Sequence, residues 1–247
     1  MARLSYDSFP WRTCSTNRCL CMRTIDQKLI RIYECDWQKL PSVTSVLQLA
    51  PEPVFIEAWK ERIGIDAYVE HMDGIFARGT QIHKVCENHF LGQNHPIPTD
   101  HELQRFIKGF YTFLTIYGNR ITGPYYVEQK LACVELGMAG TVDLVCKLDG
   151  KLTLIDWKTS SGSSIGGEML EKYKMQLSAY RRIWNATHDE KIEQAMLVQL
   201  SSKKADWLGS TAICEVEQLE ISWQMFVPYL LHMNLVYFNR IVDTKFL

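Results

Sequence analysis

The sequence predicts a mixed α/β domain with an added N-terminal helical part. Three observations lead there. Apolar residues recur at helical spacing through about 54–72, 77–91 and 100–117. Strand-like segments then follow one another directly, Tyr125 to Cys133, Gly140 to Lys147 and Lys151 to Lys158, with turn residues between them. The chain returns to helical spacing from Glu168 to Trp184 and to a strand from Ala195 to Leu200. Helices, then a β-meander, then helix and strand are the order of a mixed sheet with helices packed on it.

The 247 residues suit one large domain or one domain with an extra lobe. With 47% hydrophobic and 22% charged residues the composition is globular. No stretch approaches the roughly 20 apolar residues that span a membrane. The formal net charge of −1 excludes a globally basic nucleic-acid binder, so any DNA attraction has to be local.

Residues 1–25 lack a hydrophobic pattern and read as a loose arm, or as an Arg- and Ser/Thr-rich organelle transit segment with a poor apolar face. A strand follows from Lys28 to Cys35, stopped by Pro41, with Ser42 or Thr44 as a cap for the next helix. Asn94 to Pro98 is a loop, and so is the serine-rich run 160–164. A short strand within 211–219 and a helix at about 222–238 complete the chain. Of the eight cysteines, Cys86, Cys133, Cys146 and Cys214 read as small core residues. Cys14, Cys19 and Cys21, with Cys35 further on, contain no Cys-x-x-Cys pair, so reduced thiols are expected ahead of a zinc or iron–sulfur site.

Strand geometry carries the chemical inference. Asp149-Gly150 is a dipeptide that closes two-residue hairpins. If it closes one here, Leu148 faces Lys151, and counting outward puts Asp143 opposite Asp156 and Thr141 opposite Lys158. Directly opposed side chains have Cβ atoms about 4.5–5.5 Å apart, so two carboxylates there repel. A divalent cation would reverse the sign, and oxygen ligands suit Mg2+, with Mn2+ as a substitute. Alternation puts Lys158 on the face of Asp156, where it can meet a phosphate or a water. The plainer alternative is a solvated acidic pair, against which stands the apolar run Leu152 to Ile155 leading into it.

Other residues could converge on that centre. His83 and Glu87 are four apart on a helical segment and share a face; taken alone, His83 is an ordinary surface or core histidine. Glu128 sits mid-strand and otherwise reads as solvent-facing. Gln176 and Tyr180, also four apart, lie on the helix that follows the serine loop, with Lys172 on the same stripe. That stripe could border DNA, or be the core-facing side of an amphipathic helix.

Together these residues resemble the RecB-like branch of the PD-(D/E)XK nuclease superfamily. The matching set is Gly79…His83, Glu128, Gly140-Thr141-Val142-Asp143, Ile155-Asp156-Trp157-Lys158-Thr159 and Gln176-x-x-x-Tyr180, in that order over about 76–184. Pro41-Ser42-Val43-Thr44 also looks like phage exonucleases and the mitochondrial genome maintenance exonuclease group. Asp-x-Lys alone is a weak signal; the ordered set is a strong one.

The resemblance implies a restriction-endonuclease-like core over about 76–200, inside a nuclease domain of 26–247 whose helical part is about 40–120. It implies that His83, Asp143, Asp156 and the carbonyl of Trp157 hold the metal and that Lys158 acts on the attacking water or the phosphorane-like charge. Gln176 and Tyr180 would hold the DNA strand or brace the site, and Glu128 matches a position of less defined role. Val142 stands where the family's eponymous proline would be. Cys214 alone follows the Gln-Tyr helix, so no iron–sulfur cluster is expected.

The activity expected is a Mg2+-dependent DNA exonuclease acting on single-stranded or resected ends. A structure-specific or restriction-type endonuclease of the same fold and a catalytically silent DNA-binding protein are the alternatives. The expected setting is the cytoplasm of a bacterial or phage-infected cell, or alternatively the mitochondrion.

Overall fold

The computed structural model describes residues 18–25, 28–95, 98–160, 162, 165–203, 209–243, 245 and 247, with side chains from residue 30 onward. A small antiparallel sheet comes first: β1 (Arg18–Ile25), β2 (Lys28–Cys35) and β3 (Gln38–Pro41). β1 lies where the sequence suggests only an irregular arm. Its ladder with β2 supplies the backbone bonds that no hydrophobic pattern announces. Residues 1–17 fall outside the described residues.

Ser42 caps α1 (Val43–Val46) by accepting the Ser45 amide at 3.0 Å, as its position after Pro41 suggests. Three longer helices follow, α2 (Val54–Ile63), α3 (Ile65–Phe90) and α4 (His101–Tyr117). The sequence reading splits this stretch elsewhere. The break falls at Gly64, whose φ of +83° and extended ψ stop α2, and α3 then runs unbroken past Gly74 and Gly79.

The main sheet orders as β4-β5-β6-β7-β8, with β4 (Ile121–Cys133), β5 (Met138–Leu148), β6 (Lys151–Ser160), β7 (Gln194–Ser201) and β8 (Thr211–Glu215). All neighbours are antiparallel except β6 and β7, which are parallel and joined through α5 (Gly167–Thr187). The chain ends in α6 (Val216–His232) and a π-helical stretch, Met233–Tyr237. Among the described residues no helix is long and apolar enough to cross a membrane.

Two apolar clusters occupy the two faces of this sheet. One gathers α5, α6 and the N-terminal elements around Leu154, Leu177 and Trp223. The other gathers α3 and α4 around Ile155, Phe110 and Trp157. Alternation along β6 therefore sends Trp157 to the α3–α4 side and Asp156 and Lys158 to the α5 side. The Trp157 ring lies 5.0 to 6.3 Å from those of Phe90, Phe110 and Phe113. Burying such a side chain is worth about 1.5–3 kcal/mol, enough to hold the backbone on either side of it in one place. Cys86, Cys133, Cys146 and Cys214 are buried free thiols, as their apolar contexts suggest.

Candidate active site

Asp149 and Gly150 both take positive φ, +52° and +83°, and Leu148 faces Lys151. The hairpin thus has the register that the turn dipeptide implies. The ladder stops at Leu144–Ile155, one step short of Asp143 and Asp156. Beyond it β6 continues along β7 instead, pairing Asp156 with Leu197 and Lys158 with Gln199. The Trp157 amide donates to Asp143 Oδ2 at 2.8 Å. A side chain thus takes up a backbone donor where the strands part.

The two carboxylates have different neighbours. Asp156 is 3% exposed and lies on the α5 side. Its Oδ2 is 2.6 Å from Lys158 Nζ, and its Oδ1 accepts from Gln176 Nε2 at 3.3 Å. Lys158 Nζ also donates to Gln176 Oε1 at 3.2 Å and lies 4.8 Å from the centre of the Tyr173 ring. Gln176 Nε2 reaches the Tyr180 hydroxyl at 3.4 Å. Tyr180 in turn packs on Gly140, where an added Cβ would come within 2.5 Å of Tyr180 Cε1. Burial pushes the Asp156 carboxyl up, Lys158 offsets part of that, and Asp143 adds to it. Lys158 rises despite its burial because Asp156 and Asp143 both hold its charge. Repulsion between the aspartates is thus answered in part by Lys158, a partner that strand alternation alone offers only to a phosphate or a water.

Asp143 looks to α3 and β4. Its Oδ1 is 3.3 Å from His83 Nδ1. The ladder pairs Val127 with Leu144 and Gln129 with Val142, and leaves Glu128 and Asp143 as the unpaired step between them. Glu128 has φ +47°. An L-residue held there costs about 1–2 kcal/mol, and such strain collects where a side chain has to be aimed. Donor atoms of His83, Glu128 and Asp143 all lie within 4.8 Å of one another, a group able to hold a metal ion. Burial raises the Asp143 carboxyl, but the adjacent His83, then Lys158 and the Trp157 amide, bring it below the usual carboxylate range. His83 is raised, its burial outweighed by Asp143. Glu128 keeps solvent contact, yet crowding by the surrounding protein and then the Asp143 charge push it up to about 7.

The structure thus brings together His83, Glu128, Asp143, Asp156, Lys158, Gln176 and Tyr180. Glu87, one turn beyond His83, is turned to Lys84 at 2.6 Å. Gln176 and Tyr180 are buried, 8% and 4% exposed; Gln176 bonds inward to Asp156, and Tyr180 reaches it only through Gln176. Lys172 is half-buried near the start of α5. The sequence reading missed Tyr173. Its spacing from Gln176 and Tyr180, i, i+3 and i+7, was a signal that could have found it. It also missed the Tyr33 hydroxyl, which comes from the separate N-terminal sheet to 3.3 Å from Thr141 Oγ1. No local pattern links those two positions.

A profile of the PD-(D/E)XK nuclease superfamily matches residues 60–220, a span that contains the whole constellation except Tyr33. The chain belongs to the PD-(D/E)XK nuclease superfamily. The mixed five-stranded sheet with helices on both faces is consistent with the restriction-endonuclease-like fold of that superfamily. The mouse mitochondrial genome maintenance exonuclease 1 is 34% identical over 129 residues, 49% of this chain and 37% of its own length. The human protein of that name is 30% identical over 128 residues, again 49% and 37%. The matched stretch therefore spans well under half of those relatives. The crystal structure of SSO0001 overlays at a TM-score of 0.28, with 17% identity over 49% of this chain and 57% of that one, too loose a likeness to bear on function.

Proposed function

We propose that this PD-(D/E)XK nuclease is a Mg2+-dependent deoxyribonuclease, with Mn2+ as a substitute, that degrades single-stranded or resected DNA from an end. The observation that carries the reading is the donor group of His83, Glu128 and Asp143 beside the Asp156–Lys158 pair. Hard carboxylate oxygens with one imidazole suit a small divalent cation. Asp156 and the Trp157 carbonyl complete the set implied by the family resemblance. A divalent cation held there would neutralise the carboxylates and withdraw charge from a phosphoryl oxygen.

The residues divide the remaining work. Lys158, kept charged by Asp156 and positioned by Gln176, meets a non-bridging phosphate oxygen or the entering water. The water oxygen bonds to phosphorus as the bond to the leaving sugar oxygen breaks; the water gives up its proton to solvent and the sugar oxygen takes one from solvent. Gln176 and Tyr180 hold Asp156 and Lys158 in place, and Lys172 near the start of α5 meets the DNA backbone. The exonuclease relatives favour attack from ends over internal cutting, and their mitochondrial name favours that organelle's DNA as substrate over DNA in a bacterial or phage-infected cytoplasm.

The test is digestion of end-labelled linear and circular single strands and of blunt duplex, with Mg2+, Mn2+, Ca2+ or excess chelator. Mononucleotides or short oligonucleotides from linear single strands alone, and nothing in chelator, are expected. Cutting of circles would replace the exonuclease reading with the endonuclease one. Full activity in chelator would remove the metal from the reaction.

A further inference from the structure

A cavity of about 430 Å3 opens where β6 ends, at the two residues that follow Lys158. Thr159 and Ser160 form its floor, and Tyr173, the ring against Lys158 Nζ, forms one wall. The rest of the lining mixes aromatic residues, Phe55 and Trp59 of α2 and Tyr68 of α3, with aliphatic ones such as Ile75 and Met169. α2 buries none of its residues, and Phe55 is 59% exposed. Part of the apolar side of α2, Phe55 included, therefore stays open to solvent. Trp59 is set edge-on to Tyr68 and His71, at 5.2 and 5.1 Å, so those rings already support it.

Given the nuclease reading above, we infer that this cavity is a stacking subsite for one or two unpaired nucleobases next to the scissile phosphate. The volume falls within the range of small-ligand sites, about 300–1,000 Å3. Aromatic rings take any base by its face, without reading sequence, and the aliphatic residues between them keep most of the lining apolar. The charge on the wall points the same way. Arg78 Nε lies 3.5 Å from Glu102 Oε2, so the guanidinium is partly cancelled for a phosphate. The cavity thus suits a neutral ring while the backbone phosphate stays with Lys158. A base inside a duplex is paired and stacked on its neighbours and has no free face to offer, so the subsite would select single strands.

An abasic scan tests this. Linear single strands carrying one abasic residue are digested in Mg2+, so the cut bond fixes the register. Wild type should pause at one or two bonds a constant distance from the abasic residue. Trp59→Leu should lose the pause and should weaken single-strand binding, followed by anisotropy in chelator, about 5- to 150-fold. Phe55→Leu, at an exposed position, is the variant that keeps the fold if Trp59→Leu does not, and should act in the same direction. An abasic ladder without pauses, or a pause unchanged in the variants, would overturn the subsite while leaving the nuclease intact. A wild-type protein that cuts no DNA would overturn both.

Discussion

The two halves of the centre differ in how far their charges are answered. On the α5 side, Asp156 and Lys158 are buried, paired at 2.6 Å and tied by Gln176 to Tyr180. On the α3 side, His83, Glu128 and Asp143 crowd two carboxylates against a single imidazole, with Glu128 in a strained backbone conformation. One half has its charges paired within the fold. The other suits a cation, because burial and then the Asp143 charge oppose ionisation of Glu128, and added positive charge would favour it. Folding stability and metal affinity should therefore respond to opposite halves.

The largest effect is expected on the closed half. Lys158→Ala should slow cleavage roughly 10³-fold or more, since it removes a cation acting on the reacting phosphate or water. It should also destabilise the protein by about 3–5 kcal/mol, because the Asp156 carboxylate is left buried without its partner. Urea unfolding in chelator beside a single-turnover assay measures both. Unchanged stability would mean that the pair is not what holds this half.

Glu128→Gln should do the reverse. Its folded carboxyl sits at about 7 against an ordinary 4.5, so between those values the native state binds more protons than the unfolded one. Stability in chelator should then fall as pH rises from about 4.5 to 7 and level off above. Glu128→Gln should remove that fall, melt higher than wild type at pH 8 without metal, and require roughly tenfold more Mg2+ for half-maximal cleavage. Melting curves at pH 5 and 8 and a Mg2+ titration decide it. An unaltered Mg2+ requirement would take Glu128 out of the metal group.

The smallest effect belongs to Tyr180→Phe. Its hydroxyl offers one long contact at 3.4 Å, so the loss should be about 0.5–1.5 kcal/mol, with single-strand binding unchanged. Weakened binding by that variant, read by anisotropy, would move Tyr180 from bracing to the DNA path.

Legibility follows the range of each interaction. Asp149-Gly150 encodes a turn, and the turn sets the register that carries Asp143 towards Asp156, so that pair is readable from a dozen residues. His83 and Gln176 stand out through helical spacing and an ordered resemblance. Glu128 is different: a left-handed glutamate inside a strand has no local signature in the sequence. The cavity is less legible still. Phe55, Trp59, Tyr68 and Tyr173 come from three helices, and only α3 running unbroken through Gly74 and Gly79 brings the first three near the end of β6.

One contact offers a reporter that needs no catalysis. The Trp157 amide gives its hydrogen to the Asp143 side chain. An ion, proton or ligand that takes Asp143 Oδ2 draws electron density from the acceptor of that bond. The backbone resonance of Trp157 in an ¹⁵N spectrum, and its rate of exchange with deuterium, would then follow occupancy of the centre directly, one peak registering what the carboxylate is bound to.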